Sequence, residues 1–163
     1  PGSLVGSEMC IRDSINTLRK PSERLNWINN AMANAVKFGG TSLILDMTLP
    51  VIASPKFLSK MKDNALKYEN YLGLDDYNGV SKLMHGGFTT NWDFDWSKLD
   101  LPVLVLTGHF DKVFRIEDDI NNLIKNMKNV KRIEVPECGH LIPIEDPELF
   151  SYHLSGFIIS LKY

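Results

Sequence analysis

The sequence predicts an α/β fold: a helical segment over residues 15–98, then a parallel βαβ unit and a C-terminal helix over residues 99–163. Three observations carry this. Val103–Leu106 is apolar without alternation, as in a parallel strand covered on both faces. Ile120, Leu123, Ile124 and Met127 follow at helical spacing, and Ile133 and Val135 then mark a second strand. Each strand runs into a Gly-containing turn, one reaching Asp111 and the other His140. In such sheets, ligands bind beyond the carboxyl ends of the strands.

The first 14 residues, PGSLVGSEMCIRDS, show neither helical nor strand periodicity. They also lack the basic start, apolar middle and small-residue cleavage site of a secretory signal. The string SLVGSEMCIRDS resembles translated sequencing-adapter read-through, in which case the natural protein continues upstream. The alternative is a disordered tail. On either reading residues 1–14 stay outside the fold.

Leu25, Ile28, Met32, Ala35 and Val36 predict a helix over 22–38, with Ser22 as its cap, Glu23 in its first turn and Gly39-Gly40 at its end. Residues 41–52 read as strand or buried helix, and Pro50 argues against an uninterrupted element. Ser54-Pro55 opens a helix carrying Phe57, Met61, Ala65 and Tyr68, closed by Gly73. Asp75 or Asp76 starts a short helix that His85-Gly86-Gly87 should break. An aromatic-rich connector, Thr89–Leu99, leads into the strand; its Asp93 and Asp95 read as caps or solvated groups. Met, Phe and Trp at helical spacing are usually core; the functional alternative is a lid whose inner face lines an apolar pocket. Past His140, Asp146, Pro147 and Glu148 open the last helix. Phe150, Leu154, Phe157, Ile158 and Leu161 are its expected buried stripe, and His153 is structural or exposed.

At 163 residues, 44% apolar and 23% charged, the chain suits one globular domain. A formal charge of −2 gives no reason to expect nucleic acid or an anionic membrane as partner. No apolar run approaches the ~18 residues of a membrane span. With no signal or span, the expected location is cytoplasmic. Cys10 and Cys138 do not make a disulfide framework. Cys138 and His140 form a C-x-H pair, but two ligands are too few for a metal site, so no metal and no cofactor are expected.

Asp111 and His140 are the residue types of an orienting acid and a general base. A hydroxyl nucleophile is weak at neutral pH and needs such a base; a buried carboxylate fixes the imidazole tautomer and stabilises the imidazolium. LPVLVLTGHFD and VPECGHLIPIEDPELF resemble the C-terminal part of the α/β-hydrolase fold superfamily. Gly108 and Asp111 fit its G-x-x-D turn, Gly139-His140 its Gly-His, and Glu145, Pro147 and Phe150 its E-x-P-x-x-F pattern. The resemblance covers roughly 99–159 and implies an incomplete α/β-hydrolase fold, with Asp111 as acid, His140 as base and 15–98 as a helical cap. It implies a small-molecule substrate: apolar esters, lactones or related compounds. Phe114 departs from the Pro that many members carry there, which should change loop shape more than chemistry. His109 is expected to shape the pocket mouth.

The family order is nucleophile, acid, base. No G-x-S-x-G elbow is present: Ser42 has the wrong spacing, Ser81 lies in a helical stripe and Ser3 in the excluded stretch. His85-Gly86-Gly87 comes too late in the order to be an oxyanion loop. The missing nucleophile would be Ser in esterases and lactonases, or Asp in dehalogenases and epoxide hydrolases. The rival readings are a non-catalytic ligand-binding domain on the same fold and a small interaction domain. The 163-residue chain alone is expected to be inactive and marginally soluble, because a doubly covered strand with an unpaired edge invites aggregation. A soluble monomer that unfolds cooperatively in sedimentation and denaturation experiments would overturn the solubility expectation.

Overall fold

The computed structural model describes residues 12–15, 22–89 and 95–161. Ser3, Cys10 and Asp93 lie outside the described residues. Two compact units emerge. One holds residues 12–15, 52–54 and 95–161; the other holds 22–51 and 55–89.

The first unit is built on a parallel sheet of β1 (Arg12–Ile15), β2 (Val103–Gly108) and β3 (Val130–Val135), with β2 in the middle. All six residues of β2 are buried. Val103 and Val105 point into one apolar cluster with Met127, packed by Leu123, Ile124, Trp96 and Leu99. Leu104 and Leu106 point into a second, with Val135, Cys138, Ile142 and Phe157. Opposite faces of one strand thus each carry a core, which is why the apolar run does not alternate. Between β2 and β3 lies α4 (Glu117–Lys125); after β3 come the single turn α5 (Ile142–Glu145) and α6 (Pro147–Ser160). Asp146 caps α6, accepting from Leu149 N at 3.0 Å. Ile158, expected in the buried stripe of α6, is instead 48% exposed; Phe157 takes the buried place.

β1 departs from the sequence expectation, which leaves Arg12–Ser14 outside the fold. Arg12 pairs with Val103 and Ile15 with Leu106. The string RDSI has no alternation to reveal it. What holds it is backbone pairing along the edge of β2, and side-chain patterning does not report that.

The second unit consists of α1 (Glu23–Ile52, without its last residue), α2 (Pro55–Met61) and α3 (Gly79–Thr89). Ser22 Oγ accepts from Leu25 N at 3.2 Å, as a cap should. At Gly40 the chain leaves helical geometry, at φ 60° and ψ −154°, and a Cβ there would lie 2.3 Å from the Leu72 carbonyl oxygen. The Gly-Gly pair, expected to end the helix, instead kinks it, and residues 41–52 continue as helix with Pro50 inside it. Two further expectations are corrected. α2 stops at Met61, leaving Tyr68 in a separate 3-10 turn, and α3 runs through His85-Gly86-Gly87 to Thr89. Ala35, Val36 and Ile44 centre this unit's core.

By length and composition alone α1 is apolar enough to cross a membrane, contrary to the sequence expectation. Its apolar window is 39% buried against the protein, and the Gly40 kink divides it into pieces shorter than the ~20 residues of a span.

An ion network ties α4 to β3. Arg132 donates to both carboxylate oxygens of Glu117, at 2.6 and 2.8 Å, and to Glu134 at 2.7 Å; Arg115 reaches Glu134 at 2.8 Å. The Arg132 hydrogen bonds hold the Glu117 carboxyl down at about 2, against an ordinary 4.5. A carboxyl held low stabilises the fold above its unfolded value and loses that contribution as pH falls through its folded value. Glu117 is half exposed, so the effect is screened. Glu117→Gln should therefore cost about 0.5–1 kcal/mol at neutral pH by urea denaturation, with the difference from the native chain vanishing near pH 2.

Candidate active site

The site grows from the ends of β2 and β3. The register sets Gly108 opposite Val135, so the two following loops leave side by side. Backbone bonds stitch them together: His109 N to Val135 O and Phe110 N to Cys138 O, each at 3.0 Å. A Cβ on Gly108 would lie 1.8 Å from the Gly139 carbonyl oxygen. Glycine is thus required at 108 by the approach of one backbone to another.

Asp111 is 1% exposed. Its Oδ1 accepts from Val113 N at 3.0 Å and Phe114 N at 2.8 Å, a local turn that Asp favours. Its Oδ2 lies 2.8 Å from Nδ1 of His140. With the carboxyl ionised and the ring neutral, Nδ1 donates that bond and Nε2 keeps the lone pair. The His140 side chain is 24% exposed, while that of Asp111 is sealed. The imidazole is therefore oriented by a buried carboxyl group while itself partly exposed. That is the arrangement of a general base with its orienting acid.

Around the pair, Phe114 lies with its ring centroid 4.6 Å from that of His140. Its role thus exceeds the loop shaping expected of it, because it packs on the imidazole itself. His109 is exposed and meets Phe110 edge-on at 5.7 Å. Cys138 is buried in the core cluster, and Nδ1 of His140 bonds Asp111. Ser42 lies within α1 and Ser81 within α3, neither at a strand-to-helix turn. His85 is on α3 in the second unit, and His153 is half-buried on α6. Asp95 caps a 3-10 turn, accepting from Ser97 N at 3.1 Å.

Sequence reasoning missed one group. Glu145 is 6% exposed and accepts three backbone N–H bonds, from Gly139 and Ser54 at Oε2 and from Leu141 at Oε1. In the sequence it stands only as part of a pattern after Gly-His, and Ser54 only as a helix cap. A carboxylate five residues after a loop histidine, just before a Pro-started helix, was the available signal.

No family model matches the chain. It is 33% identical over 87 residues to a protein of Bacillus subtilis (strain 168) provisionally named a 2-succinyl-6-hydroxy-2,4-cyclohexadiene-1-carboxylate synthase. That match covers 51% of this chain and 31% of the relative. Its structure is similar to that of a thermophilic esterase from Thermogutta terrifontis, with TM-score 0.71 and 18% identity over 93% of this chain and 56% of that one. It is also similar to the enol-lactonase from Burkholderia xenovorans LB400, with TM-score 0.68 and 14% identity over 91% and 56%. The fold is the α/β-hydrolase fold, present in part. Gly108→Ala should cost at least about 2 kcal/mol by thermal unfolding, because the new methyl group meets backbone that cannot move aside.

Proposed function

We propose that Asp111 and His140 are the acid and base of a nucleophile–His–acid triad. On this reading the chain is the C-terminal part of a hydrolase for small apolar esters, lactones or related substrates, and residues 15–98 are its helical cap. The observation that carries it is the 2.8 Å bond from a sealed carboxylate to Nδ1 of a partly exposed imidazole, at the ends of neighbouring parallel strands. Supporting it, the chain spans 31% of its curated relative and 56% of each solved structure described above, so those proteins contain sequence with no counterpart here.

The division of labour follows from the geometry. Nε2 takes the proton of a hydroxyl nucleophile as it attacks the substrate carbonyl, and returns it to the leaving alcohol. Asp111 holds the ring through Nδ1 and stabilises the imidazolium between those steps. The nucleophile is supplied from outside this chain. With Asp as nucleophile, the same imidazole would instead activate water against a covalent ester. The esterase and lactonase names favour acyl chemistry, whereas the B. subtilis protein carries a synthase name, and a fold alone does not select a reaction.

The test is to sequence the source DNA upstream of codon 14 and express the longer reading frame. A continuous frame encoding strand–G-x-S-x-G–helix, with hydrolysis of p-nitrophenyl butyrate, is expected; the 163-residue chain alone should show none. In the longer protein His140→Ala should lower kcat by at least about 10³ and Asp111→Asn by about 10⁴. A genomic start codon near residue 1 would defeat the proposal, as would full activity after His140→Ala.

A further inference from the structure

Glu145 is buried and charged in type, yet it stands outside the Asp111–His140 pair. Its three donors come from the residues on either side of His140 and from the 52–54 turn. Gly139 N reaches Oε2 at 2.9 Å, Ser54 N reaches the same oxygen at 2.8 Å, and Leu141 N reaches Oε1 at 3.1 Å. The remaining amide of the loop, His140 N, donates to the Ile52 carbonyl. Three consecutive N–H groups, of residues that lie in no strand or helix, are thus all anchored. Two of them end on one carboxylate. A Cβ on Gly139 would lie 2.0 Å from the Ile52 carbonyl oxygen, so the loop rests directly on that backbone.

Glu145 ends α5, and its side chain folds back to the amide of Leu141, which begins that turn. A carboxylate accepts at both oxygens, and bonds to a charged acceptor are stronger than neutral ones. An amide side chain would turn one donor toward the backbone donors, and an alanine would leave two buried N–H groups and one half-buried one unmet. The loop would then relax toward whatever acceptors it could find. Because the bond from Nδ1 to Asp111 is set by where the His140 backbone sits, that bond is the first thing such a relaxation would disturb.

From this geometry we infer that Glu145 is a positioning residue for His140: it clamps the peptides on both sides so that Nδ1 stays on Asp111 and Nε2 points away from it. The inference rests on the acid–base reading of Asp111 and His140. It assigns Glu145 no contact with substrate.

The test reads the imidazole tautomer rather than activity. The full 163-residue chain is labelled with ¹⁵N-histidine; with four histidines in the sequence the ring signals are assignable by single substitutions. At about pH 9, above the ordinary imidazole range, the ring nitrogens report the share of each neutral tautomer. The native chain should hold His140 mainly as Nδ1–H. Asp111→Asn, whose amide oxygen is claimed by Val113 N and Phe114 N, turns its NH₂ toward Nδ1 and should invert the ratio. Glu145→Gln should raise the Nε2–H share at least about threefold, and Glu145→Ala further. Val103→Ala, which opens the cluster on the opposite face of β2, should lower stability and leave the ratio alone. If Glu145→Ala fails to fold, Glu145→Gln decides. A native ratio in Glu145→Gln, or an equal change in Val103→Ala, overturns the proposal. If Asp111→Asn also leaves the ratio unmoved, the acid–base reading itself falls; if only the Glu145 variants leave it unmoved, that reading stands and Glu145 is structural.

Discussion

The contact of Gly108 with Gly139 is the constraint on which the site depends. Two loops leave neighbouring parallel strands, and parallel strands lie about 4.8 Å apart. At that spacing their loops run together only because Gly108 has no side chain where it meets the Gly139 carbonyl, and Gly139 has none where it meets the Ile52 backbone. Once the loops touch, the sheet's pairing continues past its formal end through His109 N and Phe110 N. Two side chains 29 residues apart are then brought within 2.8 Å without a long or flexible connection.

Burial explains how the pair is kept. A carboxylate removed from water needs hydrogen bonds in place of its hydration. Asp111 finds them in the amides of Val113 and Phe114, and Glu145 in those of Gly139, Leu141 and Ser54. Asp111 acts on the imidazole ring, whereas Glu145 acts on the backbone that carries the ring. Phe114 joins these roles, because its amide bonds Asp111 while its ring packs on His140. Together they order a loop that belongs to no helix or strand.

Much of this was legible in the sequence where one residue type answers one physical need. An unalternating Val-Leu-Val-Leu run has few homes other than a strand with both faces covered, and β2 is that strand. Asp146 before Pro147 marked the start of α6, and Gly39-Gly40 marked the kink in α1. Reading failed where tertiary pairing decides. β1 is held by the edge of β2 and has no pattern of its own, while α3 tolerates His85-Gly86-Gly87 because glycine lowers helix propensity without forbidding the helix. Glu145 was visible as a letter in a motif, but its partners are backbone amides, which every residue except proline carries. No sequence pattern distinguishes the three it finds.

The same distinction bounds what the pair says about chemistry. A base and its orienting acid are needed by hydroxyl nucleophiles that form acyl intermediates, and equally by a base that drives water onto an ester of an aspartate. Nothing in the Asp111–His140 geometry differs between those uses, since in each the proton moves at Nε2 and the charge is balanced at Nδ1. Specificity must therefore come from the nucleophile, from the donors that stabilise developing charge on the substrate, and from the walls of the pocket. What the loops after β2 and β3 show at the pair is the Phe114 ring packed against the imidazole. On the proposed reading the pair is the part of a site most alike among enzymes of different substrate, so likeness of fold to an esterase and a lactonase is compatible with sequence likeness to a protein named as a synthase.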